Sequence, residues 1–226
     1  MCDNLDVAEI NIPDEIGKTA STVIDGSIVF VTTEHDDNPS NPLEDMDAEG
    51  RIYSFNSRHI NSGREEVQEA LADPDKVLLS YFEHGLCKWD VAGTMTGMPD
   101  FQWDGTLHAG VWVPDQATLD EANGSKLKGK KRAEFMAGRA ADACKLYTDF
   151  CNGAVYYYDV RAYIALRTAD GETLDLLSDY RHSHPVFEDS CGGFYGDESF
   201  QEALKEAASE ALNAVLAPSK AEPAAV

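Results

Sequence analysis

Basic residues are scarce in this sequence. Its 226 residues include 18 Lys and Arg against 41 Asp and Glu, which gives a net charge of -23. Nucleic-acid binders neutralise phosphates with clustered Lys and Arg, and attraction to an anionic membrane surface needs the same residues. We therefore expect neither direct binding of nucleic acid nor a role at a membrane.

Long apolar runs and cysteine motifs are also lacking. No stretch approaches the roughly 20 apolar residues of a transmembrane helix, and the first residues, MCDNLD, carry acid where a secretory signal carries base. The five cysteines are an odd number, widely spaced and without a Cys-x-x-Cys motif, unlike a disulfide framework or a zinc ribbon. We expect reduced thiols in a cytoplasm and no bound cofactor.

The charge is unevenly distributed. Residues 1–75 carry 4 basic and 18 acidic side chains, whereas residues 124–150 carry 7 basic and 3 acidic ones. The basic segment is expected to pair with the acidic N-terminal region or with a second copy of the chain. The acidity has two open explanations: it maintains solubility, or its carboxylates take the place of DNA phosphates on another protein's surface.

The pattern of apolar residues predicts an α+β fold, mainly antiparallel sheet built from hairpins and packed against two long helices. Predicted strands, from β-branched or alternating segments, are 27–33, 51–55, 77–81, 86–91, 109–113, 155–167 and 174–180. The predicted long helices are 130–150, from an amphipathic stripe, and 199–217; shorter ones are 62–72, capped by Ser62, and 115–122.

One domain is expected over residues 23–217. A loosely ordered arm at 1–22 precedes it, and a flexible tail at 218–226 follows it. A long loop at 34–50, rich in acid and proline, interrupts the predicted strands.

Two segments carry donors that could ligate a metal, although no bound metal is expected. Residues 45–50 partly match a calcium loop, which needs oxygen ligands at alternate positions, but the twelfth position is Asn56 instead of Glu. Residues 182–191 offer imidazole, carboxylate and thiol groups. The candidate ligands are His182, His184, Asp45, Asp47 and Glu49.

An acid–base set is a further candidate site, separate from the two metal-ligand segments. His84, Asp104 and His108 would form one if the turn at 83–85 and the segment 103–110 converge. The sequence has no Gly-x-Ser-x-Gly, phosphate loop or His-Glu-x-x-His motif. A small metal-dependent enzyme using residues of the 84–108 or 182–191 segments is therefore an alternative hypothesis.

Four motifs in a fixed order carry a resemblance to a known group. They are YFEHG at 81–85, WDG at 103–105 leading into AGVWV at 109–113, FCNGAVYYY at 150–158 and DSCGGFYG at 189–196. Over about residues 76–210 the chain resembles uncharacterised acidic proteins of tailed bacteriophages. The resemblance implies a phage origin and a bacterial cytoplasmic location, and it implies no activity. The same glycines, Gly192, Gly193 and Gly196, also predict a tight turn into the last helix.

The leading hypothesis is a phage-type acidic accessory protein that binds and inhibits a host DNA-binding or defence protein. Its carboxylates would occupy the basic surface that normally faces DNA. A virion or assembly component, and hence a homo-oligomer, is the other alternative. The predicted partner contacts are Glu34, Asp36, Asp37, Glu44, Asp45, Asp47, Glu49, Glu65, Glu66 and Glu69.

Overall fold

The computed structural model describes residues 10–43, 50–54, 57–164 and 184–217. The chain forms two compact units. Unit 1 contains residues 1–37 and 155–226, and unit 2 contains residues 38–154. From the sequence, residues 23–217 are expected to form one domain, without such a division.

Over the described residues, unit 1 is a four-stranded antiparallel sheet with one long helix. The strands are β1 (Lys18–Ile24), β2 (Ser27–His35), β7 (Val155–Tyr163) and β8 (Phe187–Tyr195), in the order β1-β2-β7-β8. The helix, α5 (Asp197–Leu216), packs on β7, β8 and β2. Its core face is formed by the buried side chains Phe200, Leu204, Ala207, Ala208 and Ala211.

The strand β1 occupies the end of the segment expected to be an arm. Asp25 and Gly26, both with positive φ, connect it to β2. This dipeptide is the preferred sequence of a two-residue hairpin turn whose twist matches that of the strands. The sequence pattern of β1 is too polar to suggest a strand, because only one side of it faces the rest of the unit.

Unit 2 is a second four-stranded antiparallel sheet covered by helices. The strands are β3 (Gly50–Tyr53), β4 (Val77–His84), β5 (Leu86–Val91) and β6 (Gly105–Pro114), in the order β3-β6-β4-β5. The helices are α1 (Arg64–Ala72), α2 (Phe101–Asp104), α3 (Gln116–Gly124) and α4 (Gly129–Cys151).

The helix α4 confirms the amphipathic stripe read from the sequence. Met136, Ala140, Cys144 and Tyr147 are buried against the sheet, whereas Phe135 lies half-buried at the rim beneath the Arg139 guanidinium. The helix covers mainly β5, the edge strand. Its buried face meets Leu79, Trp89 and Trp112 in the core of unit 2.

The α+β class, with antiparallel sheets and helices, is confirmed. Several boundaries differ from the prediction. The cap of α1 is Gly63 instead of Ser62, because the Ser62 hydroxyl accepts a hydrogen bond from the Ser54 backbone N–H. The short helix α2 and the first residues of β6 lie between the predicted strands 86–91 and 109–113, where neither a helix nor a strand is predicted.

The glycine motif at 189–196 is the largest difference. It was predicted to be a tight turn, but residues 187–195 form β8, and only Gly196 lies at the entry to α5. A register irregularity between Tyr156 and Tyr158 accommodates Gly193, whose φ is +78°. The predicted strand at 174–180 lies outside the described residues. Among those residues, none of the helices combines the length and apolar character that crossing a bilayer requires.

We predict that Phe200→Ala lowers the free energy of unfolding of unit 1 by about 3–5 kcal/mol, the range for removing a buried aromatic ring. Phe200 is fully buried, and its ring contacts Tyr156 and Phe194 at centroid distances of 5.2 and 5.8 Å. Ser209→Ala on the exposed face of the same helix should change it by less than about 0.5 kcal/mol. Urea denaturation followed by far-ultraviolet circular dichroism measures both; equal effects would contradict this account of the core.

Candidate functional site

The predicted acidic contacts are divided between the two units. Glu34, Asp36 and Asp37 lie at the end of β2 in unit 1 and just after it. The α1 acids belong to unit 2: Glu65, Glu66 and Glu69. The remaining four lie outside the described residues: Glu44, Asp45, Asp47 and Glu49.

Two of these acids have structural partners. Oδ2 of Asp36 accepts a hydrogen bond from the Gly193 N–H at 3.0 Å, which fixes the irregular part of β8. Oε2 of Glu66 accepts from the Gly63 N–H at 2.7 Å and so completes the cap of α1. Their carboxylates stabilise the fold whether or not a partner binds.

A row of glutamates on α5 was not predicted. Glu198, Glu202, Glu206 and Glu210 recur every four residues on the exposed face of the helix. Successive members are about 6 Å apart along the axis. Within the described part of the chain, none of the four forms an ion pair. The spacing of four is visible in the sequence once the last helix is placed.

The excess of acid is concentrated in unit 1. The residues of unit 1 include 22 acidic and 6 basic side chains, whereas those of unit 2 include 19 and 12. The α5 glutamate row therefore belongs to the more strongly charged unit.

The structure brings together two members of the predicted acid–base set. Nδ1 of His84, at the end of β4, lies 2.8 Å from Oδ2 of Asp104, the last residue of α2. The pairing of Phe82 with Gly105 aligns the two segments. The hydrogen bond to Asp104, supported by its negative charge, raises the pKa of His84 above the ordinary 6.5.

His108 lies apart from this pair. Its backbone has a φ of +61° within the irregular stretch of β6, and its side chain borders a cleft of about 650 Å³. The cleft also contains Asp75 and Arg132, whose side chains form two hydrogen bonds of 2.5 and 2.7 Å. The Arg132 guanidinium lowers the pKa of the Asp75 carboxyl.

Some side chains of the basic segment 124–150 therefore form ion pairs within unit 2. Besides the pairing of Arg132 with Asp75, Arg139 contacts Glu121 at 2.6 Å. Asp75 belongs to the acidic N-terminal region, so one of the two pairings expected for the basic segment is present. The lysines 126, 128, 130 and 131 remain exposed.

The 182–191 segment does not assemble a metal site among the described residues. His182 lies outside them, and His184 is exposed ahead of β8. Glu188 pairs with Arg161 at 3.1 Å, and Asp189 accepts a hydrogen bond from the Tyr158 hydroxyl at 2.9 Å. These carboxylates stabilise the β7–β8 pairing.

A cluster of one imidazole and two thiols was missed by the sequence analysis. A ligand atom from each of His59, Cys87 and Cys151 lies within 4.8 Å of the other two. We refer to these three residues as the thiol–imidazole cluster. Among the described residues it is the one group of three or more His, Cys, Asp or Glu this close. It lies inside unit 2.

Side chains of α4 hold the cluster together. Asn152, directly after Cys151, accepts a hydrogen bond from the Cys87 N–H and donates one to its carbonyl, both at 2.9 Å. One turn earlier, the Thr148 hydroxyl accepts from the Trp89 N–H at 2.9 Å. The Tyr147 hydroxyl donates to the His59 carbonyl at 3.1 Å. Cys87 and His59 are therefore tied to the end of α4, the helix whose last residue is Cys151.

The electrostatics of the cluster are set by the contact between its thiols. A hydrogen bond with Cys151 lowers the pKa of the Cys87 thiol, whereas the same contact and burial raise the pKa of Cys151. Cys87 is therefore the thiol with the greater thiolate character. Within the part of the chain that the structure describes, the Nε2 atom of His59 is buried without a hydrogen-bond partner.

Comparison of the chain with protein-family models, with curated proteins and with solved structures returned no match. The resemblance to phage proteins therefore stays a prediction.

We predict that Asp104→Asn lowers the pKa of His84 towards 6.5, because it removes both the charge and the strongest hydrogen bond that raise it. Asp100→Asn is the matched control, since Asp100 contributes only the smallest effect, through space. Titration of the His84 ring protons by NMR measures both variants.

The sign of the pH dependence follows from the raised pKa. The pair stabilises the fold fully below the ordinary pKa of His, and this contribution disappears as the pH rises through the raised value. If Asp104→Asn and Asp100→Asn shift the titration equally, the direct hydrogen bond is not its main cause.

Proposed function

We propose that this protein acts by binding, and that it inhibits a host DNA-binding or defence protein by covering its basic surface with carboxylates. The observation that carries the proposal is the α5 glutamate row. Its four glutamates are aligned along one face of the helix and are exposed to solvent. None of them forms an ion pair with another described residue.

The alignment of the row has an energetic cost. Like charges four residues apart on a helix are unfavourable by roughly 0.2–0.5 kcal/mol a pair, and the row contains three such pairs. Solubility alone is served by scattered charges of both signs. A partner with several cations would offset the cost by neutralising the row.

The row is also held on a rigid element. The opposite face of α5 buries Phe200, Leu204 and Ala208 against the sheet of unit 1. From Glu198 to Glu210 the carboxylates extend over about 18 Å of helix axis. Groups fixed before binding lose less conformational entropy when a partner is bound. Duplex DNA likewise presents a regular series of negative charges, one about every 3.4 Å along each strand.

Under this proposal, the residues expected to contact the partner differ from those predicted from the sequence. Glu34 and Asp37 are exposed in the same unit as the row and remain candidates. Asp36 and Glu66 are better explained by their hydrogen bonds within the fold. The phage resemblance favours a host protein as the partner, and inhibition follows if the covered surface is the one that contacts DNA.

The test neutralises the row without changing its shape, by converting Glu198, Glu202, Glu206 and Glu210 to Gln. The protein is used to capture partners from bacterial lysate at low salt, and the captured protein is then purified and assayed for DNA binding. We expect the wild-type protein to inhibit that binding, and duplex DNA or high salt to release the partner, because exposed charges are screened by salt. The variant should bind at least about tenfold more weakly.

A matched control makes the same change in net charge on unit 2. It carries Asp120→Asn, Glu121→Gln, Glu134→Gln and Asp142→Asn, all at exposed positions of α3 and α4. It should bind like the wild type. Equal weakening by both variants would indicate a general effect of net charge, and an unaffected row variant would exclude α5 as the contact surface.

A further inference from the structure

The thiol–imidazole cluster has the composition of a zinc site. Thiolate and imidazole are the ligands that zinc favours, whereas calcium and magnesium require oxygen ligands. We infer that His59, Cys87 and Cys151 bind one Zn²⁺ ion within unit 2. This inference does not rest on the proposed function, because the α5 glutamate row belongs to unit 1.

The distances are close to those that coordination requires. A tetrahedral zinc ion with Zn–S bonds of about 2.3 Å and a Zn–N bond of about 2.0 Å holds its ligand atoms roughly 3.5–3.8 Å apart. The three donors already lie within 4.8 Å of one another. They need to approach by roughly 1 Å, a change that side-chain rotations can supply. The two thiol protons would leave to solvent on coordination.

The surroundings of the donors resemble a built site. The backbone of Cys87 is bonded twice by Asn152, and the His59 carbonyl is bonded by the Tyr147 hydroxyl. Contacts of this kind orient metal ligands and limit the entropy lost when the ion binds. The buried Nε2 atom of His59 has no hydrogen-bond partner among the described residues, a costly state that coordination through this nitrogen would relieve.

Aromatic rings enclose the cluster on the sheet side. Tyr81 lies against both the His59 ring, at a centroid distance of 6.4 Å, and Trp89, at 4.7 Å. Glu83 faces Cys87 across the β4–β5 pair, but its carboxylate is engaged by Arg58 and by the Tyr81 hydroxyl. Three protein ligands are therefore in place, and the fourth tetrahedral position is left to water or an exogenous ligand.

A polar space lies next to His59. His59 and Tyr147 line a small cavity of about 160 Å³ whose other walls include polar groups such as Asn61 and Glu66. A hydrated cation can occupy a polar space of this size before it reaches the thiols.

The test uses the full chain, reduced and stripped of metal with a chelator, and titrated with Co²⁺ and then Zn²⁺. We expect one Co²⁺ to bind with thiolate-to-metal charge-transfer absorption and the strong visible bands of tetrahedral coordination, and one Zn²⁺ to displace it. Failure of the reduced protein to bind either ion, or binding without the charge-transfer band, would overturn the inference.

Variants locate the site. Cys87→Ser, Cys151→Ser and His59→Gln should each weaken Co²⁺ affinity by about 100-fold or more, since loss of a contact that only orients a ligand already costs 10–100-fold. Asn152→Ala should fall within that smaller range. Matched controls are Cys144→Ala, a buried thiol on the same helix, and His84→Gln, an exposed histidine. Neither should change the affinity.

A measurement on the wild-type protein guards against variants that fail to fold. Zn²⁺ should protect the half-buried Cys151 from alkylation, mapped by mass spectrometry, while exposed Cys191 is labelled equally with and without the ion. Unchanged labelling of Cys151, loss of Co²⁺ binding in the Cys144 control, or a wild-type spectrum in either cysteine variant would each overturn the assignment. So would a Cys87–Cys151 disulfide that persists under reducing conditions.

Discussion

Unit 2 depends on the way its open sheet edge is closed. β5 is an edge strand, and the outward N–H groups of Cys87 and Trp89 would need water or another strand if nothing covered them. Asn152 and Thr148, at the end of α4, bond these groups directly. Because the bonds fix the helix end against the strand, they set the depth at which Trp89 and Tyr147 pack. They also place Cys151 beside Cys87.

Unit 1 solves a different problem, since it must fold despite most of the chain's excess charge. The helix α5 does so by a complete separation of its faces. Small side chains, such as Ala207, Ala208 and Ala211, let the helix approach the sheet closely, while the glutamates point away from it. Aromatic contacts of Phe200 fill the space that the alanines leave near β8. The acidity of α5 is therefore confined to a face of the helix that packing does not need.

The sequence was sufficient to predict those segments whose structure follows from the spacing of their own apolar residues. The stripe on α4 and the β4–β5 hairpin are examples, because burial of one face is visible in a few consecutive turns or residues. β1 was missed because a polar edge strand has no such period. The thiol–imidazole cluster joins positions 59, 87 and 151, which meet only through the tertiary fold. Likewise, Gly193, with its positive φ, is compatible with an irregular strand as well as with a turn. The hydrogen bond from its N–H to the Asp36 carboxylate favours the strand.

The interleaving of the two units along the chain has a consequence for synthesis on the ribosome. Unit 2 is one continuous segment, whereas β2 must wait for β7 until residues 38–154 have been made. During that interval the β2 edge of the β1–β2 hairpin is unpaired, a feature that favours aggregation of nascent chains. The closing bond, from the Asp36 N–H to the Val155 carbonyl at 2.9 Å, forms at the very point where the chain returns. Slower translation across this interval lengthens the time for which that edge stays uncovered.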